Sequence, residues 1–79
     1  MDESRIEVIA YAGHRDAEIP RAFFLNNERI DVTRVTDMWI EEGVHDRIRK
    51  RCFKVIGSDG FQHRIYFNED TKEWFIRKA

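Results

Sequence analysis

Cysteine, proline and glycine are all scarce in this sequence, and each shortage excludes something. The single cysteine, Cys52, leaves no partner for an internal disulfide and no set of thiolates for a zinc site. One proline and four glycines argue against a disordered or low-complexity chain. No apolar run approaches the roughly 20 residues of a membrane helix, and the acidic start, MDESRIEV, lacks the features of a signal peptide. We therefore expect a cytoplasmic protein with no membrane partner.

The composition that remains describes one small and heavily charged domain. The 79 residues, of which 42% are apolar, suffice for one core, so residues 1–79 are expected to form a single domain. Charge is divided along the chain: residues 1–46 hold five Arg and eleven Asp or Glu, and residues 47–79 hold nine Lys or Arg and four Asp or Glu. A basic half can bind polyanions. In one small sheet, strands of opposite charge can instead pair with each other.

Two-residue alternation of apolar and polar side chains runs through most of the sequence. This period is typical of strands, and it predicts strands at residues 5–12, 21–25, 28–36, 51–57, 61–68 and 73–77. Residues 37–40 are expected to end the third strand or to turn its corner, and residues 41–46 to form a charged connection with at most one short helical turn around 43–50. The fold class is thus all-β: an antiparallel meander of five or six strands in a bent sheet or small barrel.

Local signals add detail to this fold. The pair Asn26-Asn27 suits a two-residue hairpin turn because asparagine tolerates positive φ, and Asp59-Gly60 marks another turn. Val32 and Val35 are three residues apart, so a bulge between them is expected to keep both side chains on one face.

The sequence contains no convincing catalytic or metal-binding set. Cys52 lies within a strand and is expected to be a small packed residue rather than a nucleophile. His14, His45 and His63 lack the spacing of a shared metal site, and His63 is expected to be a hydrogen-bonded histidine of the core or edge. The paired carboxylates lie in turns and charged loops. We therefore predict no catalytic residue, no metal, no cofactor, no small-molecule substrate and no enzymatic activity.

A basic stretch, RIRKRCFKV, offers a candidate nucleic-acid site. Its cations, with two more at the end of the chain, are Arg47, Arg49, Lys50, Arg51, Lys54, Arg77 and Lys78. Such residues can neutralise phosphates, and neighbouring aromatic residues can stack on unpaired bases. Basic and apolar residues separate along the stretch, however, which favours a solvated approach to a strand. No strand carries the aromatic-rich pattern of ribonucleoprotein domains.

From Pro20 onward, the order of apolar, aromatic and turn residues resembles that of a family of small bacterial all-β domains of unassigned function. The matching residues are Pro20, Phe23, Ile30, Val32, Val35, Asp37, Trp39, Arg51, Phe53, Val55, Asp59, Gly60, Trp74 and Phe75. Such domains occur as free-standing proteins of about this length, and similar segments close some proteins related to error-prone DNA polymerases. The resemblance implies an all-β fold and, through the polymerase-related proteins, a DNA-repair context, and it carries no catalytic residue.

Met38 and Trp39 are large apolar residues beside a charged loop, where anchors for a partner often lie. The alternative is that Trp39 caps the barrel. The expected function is an interaction module that binds a protein partner or a second copy through a sheet edge or through the region of Met38 and Trp39. The alternative function is nucleic-acid binding by the basic residues named above.

Overall fold

Alternating side chains and short turns produce a closed barrel. The computed structural model describes residues 3–12 and 18–77. These residues form six strands: β1 Glu3–Ala12, β2 Glu18–Leu25, β3 Glu28–Glu42, β4 Arg49–Gly57, β5 Gln62–Asn68 and β6 Glu73–Arg77. Each strand pairs antiparallel with the next, and β1 also pairs with β6, which closes the sheet. The predicted antiparallel meander is confirmed, and of the two predicted shapes it takes that of a small barrel.

The inward-facing residues of all six strands form one core. It is built from Ile6, Phe23, Ile30, Phe53, Val55, Ile65, Trp74 and Ile76. The ring of Trp74 packs against two phenylalanines, with centroids 5.7 Å from Phe53 and 5.1 Å from Phe67. Burial of these large apolar side chains is the main favourable contribution to folding.

Two turns follow the predicted chemistry. Asn26 and Asn27 both adopt positive φ, at 54° and 65°, between β2 and β3. Positive φ at both central residues matches the right-handed twist of the flanking strands. Gly60 has φ of 86°, and the Asp59 carboxylate accepts the backbone N–H of Phe61 at 3.0 Å. Both predicted turns are therefore confirmed.

β3 is bent by two bulges. Its register with β4 shifts between Val32 and Arg34 and again between Val35 and Asp37. The skipped residues, Thr33 and Thr36, donate their hydroxyls to the β4 carbonyls of Ile56 and Lys54, each at 3.0 Å. The bulge expected between Val32 and Val35 is confirmed. The bend lets the start of β3 pair with β2 while the remainder pairs with β4.

Several sequence-based boundaries were wrong, and β1 already begins at Glu3, two residues earlier than predicted. β3 does not end near Thr36 but continues to Glu42, so Glu41 and Glu42 belong to the strand rather than to a loop. They pair with Lys50 and Arg49 of β4, which therefore begins two residues earlier than predicted. β2 likewise begins at Glu18, ahead of Pro20. The oppositely charged parts of the chain thus lie side by side across this ladder.

The connection between β3 and β4 contains a turn at residues 44–46, and the described ranges 3–12 and 18–77 contain no helix. No helix in that part of the chain is long and apolar enough to cross a membrane.

Candidate functional site

A row of four residues crosses the outside of the barrel on neighbouring strands. The register aligns Trp39 of β3, Cys52 of β4, Tyr66 of β5 and Phe75 of β6. On β4, β5 and β6 these residues alternate with the core residues Phe53, Ile65, Trp74 and Ile76, which directs them outward, and the register places Trp39 on the same face. Cys52 and Tyr66 are nevertheless buried, and the rings of Tyr66 and Phe75 stack with centroids 5.1 Å apart. The barrel therefore carries a second, smaller cluster on its outer face.

Charged side chains cover this outer cluster. The Arg77 guanidinium donates to both carboxylate oxygens of Glu41, at 2.7 and 3.1 Å, and to Glu3 at 3.2 Å. The Tyr66 hydroxyl donates to Glu3 at 2.7 Å, and the Trp39 indole N–H donates to Glu41 at 3.0 Å. Trp39 is half-buried. Its polar atom is satisfied within this network, so Trp39 covers the outer cluster and does not reach the core.

The network changes the acidity of its members. Hydrogen bonds from Arg77, and then from Trp39, lower the pKa of Glu41 to about 2. Burial, and then the nearby Glu41, raises the pKa of Cys52 to about 11. Burial also raises the pKa of Tyr66, and its hydrogen bond to Glu3 adds to that rise. At neutral pH, Glu41 is therefore a carboxylate and Cys52 a protonated thiol, which is a poor nucleophile.

The basic residues proposed for nucleic-acid binding do not form one surface. Arg77 binds Glu41 and Glu3, and Arg51 forms an ion pair with Glu69 at 2.6 Å. Lys50 lies over the Tyr66 ring, 5.0 Å from its centroid. The remaining members are divided. Lys54 lies on the outer face of β4, whereas Arg49 and Arg51 both lie on its opposite face. Arg47 lies in the connection between β3 and β4, with φ of 57°, and Lys78 lies outside the described residues.

One basic residue of the outer face, Arg64, was not among those predicted from the sequence. Arg64 is exposed and lies in register between Lys54 of β4 and Arg77 of β6. The alternation of β5 already placed Arg64 opposite the core face, but only knowledge of the register shows that it joins the other two cations.

Met38 and Trp39 lie on opposite faces of β3. Met38 pairs with the core residue Phe53, yet it is 57% exposed, and Ile40 on the same face is 47% exposed. Their side chains are uncovered because β2 pairs only with the first residues of β3, up to Asp31. A pocket of about 250 Å³ lies here, lined by Met38, Trp39, Ile40, Arg51, Cys52 and Phe53. Ile40 was not among the predicted site residues, because it shares a face with Met38 only when the strand continues beyond Thr36.

The far end of β3 has a neighbouring strand on one side only, within the described residues. Gly43 donates its N–H to Ile48 of the β4 side at 3.0 Å. Backbone groups alternate in direction along an antiparallel strand, so those of Trp39 and Glu41 also face β4, whereas those of Met38, Ile40 and Glu42 face away. Met38 N–H confirms this direction, because it is bonded at 2.9 Å to the carboxylate of Asp37. We call residues 38–42 the open edge.

The parts of the sheet next to the open edge are protected against further pairing. β2 pairs with β3 only as far as Ala22, where the two strands separate, and Pro20 beyond it is paired with Ala10 of β1. β3 carries the bulges at Thr33 and Thr36, which distort the backbone. A second pocket of about 320 Å³ marks this separation and is lined by Tyr11, Ile19, Pro20, Arg21, Val32, Thr33, Arg34 and Val35. The open edge follows directly after these protected segments.

The histidine and cysteine predictions have clear outcomes. His63 hydrogen bonds to Asp59 at 2.9 Å and packs edge-on against the core ring of Phe23, with centroids 5.1 Å apart. It is therefore the hydrogen-bonded histidine that the alternation predicted. Cys52 is buried, as predicted. His14 lies outside the described residues. Among residues 3–12 and 18–77, no group of three His, Cys, Asp or Glu side chains is arranged to hold a metal ion.

The fold and this site together define a small antiparallel barrel with an open edge on its third strand. Comparison with protein-family models, curated proteins and solved structures found no match. The resemblance to small bacterial β domains stays a prediction.

Proposed function

We propose that this protein is a non-enzymatic interaction module that binds an extended segment of a protein partner at the open edge. The observation that carries this proposal is the combination of outward-directed backbone groups at Met38, Ile40 and Glu42 with exposed side chains at Met38 and Ile40. Such an edge is a template for strand addition.

Strand addition uses both the backbone groups and the side chains of the open edge. Backbone hydrogen bonds to Ile40 and Glu42 provide affinity that is independent of the partner's sequence. Alternate side chains of the added strand lie beside Met38 and Ile40, next to the pocket of about 250 Å³. A partner segment of about five residues matches the length of the open edge, since strands rise about 3.4 Å per residue.

A protein partner suits the open edge better than a second copy of this chain. Antiparallel pairing of two copies centred on Ile40 places Met38 opposite Glu42 and Trp39 opposite Glu41. Only Ile40 then faces an apolar residue, its own copy, whereas Met38 and Trp39 each face a carboxylate, which is a poor cross-strand pair. Self-association is therefore an outcome of the test below rather than the proposed function.

Nucleic-acid binding remains the second candidate, and the row of Lys54, Arg64 and Arg77 is the observation that favours it. Ion pairing of Arg51 and Arg77 with glutamates counts against it. The test is a titration with single- and double-stranded DNA at low and moderate salt, followed by tryptophan fluorescence. Steeply salt-dependent binding that is weakened by Arg64→Gln supports this candidate, and no binding at low salt rejects it.

We further propose a cytoplasmic location. The only cysteine is buried and has no partner for a disulfide in the chain, which is typical of proteins in a reducing compartment.

The decisive test of strand addition uses short peptides and two substitutions of Ile40. Three capped heptapeptides share the core Thr-Val-Thr-Val-Thr and carry Lys, Ser or Glu at both ends. Binding is followed by NMR titration of the ¹⁵N-labelled protein. We expect at least one peptide to shift the amide signals of residues 38–42. Ile40→Pro removes an N–H that does not face β4, so we expect it to abolish binding while the barrel still folds.

Ile40→Ala is the matched control, because it keeps the N–H and removes most of the side chain. We expect it to weaken binding without abolishing it. If none of the three peptides binds, or if Ile40→Pro binds as well as the unaltered protein, strand addition is wrong. Light scattering then measures whether the protein self-associates. If it does, and if Ile40→Pro abolishes the self-association, the occupant of the open edge is a second copy of this chain.

A further inference from the structure

The open edge presents acidic groups at both ends of a short apolar segment. Residues 37–42 contain Asp37, Glu41 and Glu42 and no Lys or Arg. The Glu41 carboxylate already accepts hydrogen bonds from both terminal nitrogens of the Arg77 guanidinium. Asp37 and Glu42 are both exposed, and they flank Met38 and Ile40.

Asp37 directly precedes the open edge and bonds to its first residue. Its carboxylate accepts the N–H of Met38 at 2.9 Å, on the side that faces away from β4. A strand that is added here must take over this N–H with one of its own carbonyls, and the Asp37 carboxylate is then released. The released carboxylate needs a new partner, because a desolvated and unpaired charge beside an interface is costly. A cation on the incoming segment supplies that partner.

β4 shows what kind of strand already matches these residues. On its side of β3, the register pairs Met38 with Phe53, Ile40 with Arg51 and Glu42 with Arg49. An aromatic residue thus lies opposite Met38, and cations lie opposite the other end of the segment. The same three β3 side chains meet any strand that is added on the open side. β4 thus gives a precedent for an apolar side chain opposite Met38 and for a cation opposite Glu42.

From these observations we propose that the occupant of the open edge is an extended protein segment with two alternating apolar side chains flanked by Lys or Arg. This inference rests on the proposed strand addition. The apolar side chains lie beside Met38 and Ile40, and one flanking cation pairs with Glu42 on the same face. The other cation, one position beyond Met38, extends its flexible side chain to the displaced Asp37, which alternates to the outer face with Trp39. The cations of β4 lie one strand further away than these carboxylates, and Arg51, which lines the pocket, is already paired with Glu69.

The three peptides described above test this charge preference. At low salt we expect the Lys peptide to bind about threefold to tenfold more tightly than the Ser peptide, because opposite charges on neighbouring strands contribute modestly. We expect the Glu peptide to bind more weakly than the Ser peptide. Asp37→Asn and Glu42→Gln should each reduce the advantage of the Lys peptide, and the double variant should remove it.

Glu28→Gln is the matched control, since Glu28 is an exposed acid on β3 outside the open edge. It should leave the order of the peptides unchanged. Equal affinity for all three peptides, or tightest binding of the Glu peptide, overturns the charge preference while strand addition stands. Loss of the Lys preference in Glu28→Gln as well would also overturn it, because the effect would then come from net charge. Binding of no peptide overturns both proposals.

Discussion

Glu41 of β3 and Arg77 of β6 are joined by two hydrogen bonds, at 2.7 and 3.1 Å, that pass over the outer face of β4 and β5. Bidentate binding of a carboxylate by arginine has a fixed geometry and is stronger than a neutral hydrogen bond. The pair therefore connects strands that are not neighbours and covers the buried side chains of Cys52 and Tyr66.

The lowered pKa of Glu41 predicts a specific pH dependence of stability. Its pKa is lowered in the folded protein, from an ordinary 4.5 to about 2. Its contribution is therefore fully present above the unfolded value and is lost as the pH falls from about 4.5 towards 2. We expect Glu41→Gln to lower the free energy of unfolding by about 1 kcal/mol at pH 7, a modest value because the pair is partly exposed to solvent.

Urea titrations of both proteins between pH 2 and pH 7 check this prediction. The difference between the unaltered protein and Glu41→Gln should shrink as the pH falls through that window, while contributions of other acids cancel. A difference that is constant with pH would show that the carboxylate charge is not what stabilises the pair.

The hydroxyl of Tyr66 is predicted to stabilise the barrel. It donates to Glu3 at 2.7 Å from a buried ring, and Tyr66→Phe leaves that ring in place. We expect Tyr66→Phe to cost about 1 kcal/mol, the usual net value of such a bond. Tyr11 is half-exposed, so Tyr11→Phe is the control and should cost almost nothing. Equal effects of the two substitutions in thermal unfolding would contradict the assigned bond.

Cys52 is predicted to be unreactive in the folded protein. Burial raises its pKa to about 11, so very little thiolate exists at neutral pH, and the sulfur is also hidden from solvent. We expect a thiol reagent such as 5,5′-dithiobis(2-nitrobenzoate) to label Cys52 at pH 7.5 only after unfolding in denaturant. Rapid labelling of the native protein would show that Cys52 is accessible and would reopen a chemical role for it.

Isoleucine-to-valine substitutions should distinguish a core position from a position on the open edge by their effects on stability. Ile65 is 1% exposed and Ile40 is 47% exposed. We expect Ile65→Val to lower the free energy of unfolding by about 0.5–1.5 kcal/mol, because it removes a buried methylene and leaves a cavity. Ile40→Val should change stability little. A larger loss from Ile40→Val would place Ile40 in the core and remove it from the binding surface.

Much of the fold followed from the sequence because its signals are local. Alternation placed the strands, the asparagine pair gave the hairpin turn, and the spacing of Val32 and Val35 gave a bulge. Closure between β1 and β6 could not be chosen over an open bent sheet, since it depends on pairing between the two ends of the chain.

The candidate site was harder to predict. The second bulge, at Thr36, changes the phase of β3, so residues 37–42 no longer read as the same strand. Glu41 and Glu42 looked like loop residues because their partners, Lys50 and Arg49, are identified only by the register. As a result the sequence indicated Met38 and Trp39 as one surface, whereas the strand directs them to opposite faces and exposes Ile40 with Met38.

Amide hydrogen exchange at Ile40 tests the central claim most directly. In the free protein we expect the N–H groups of Ile40 and Glu42 to exchange quickly, and those of Trp39 and Glu41, which face β4, to be protected. Saturation with the Lys peptide should slow exchange at Ile40 strongly and leave Trp39 nearly unchanged. Protection of Ile40 equal to that of Glu41 in the free protein, or exchange at Ile40 that the bound peptide does not slow, would contradict an open edge that binds by strand addition.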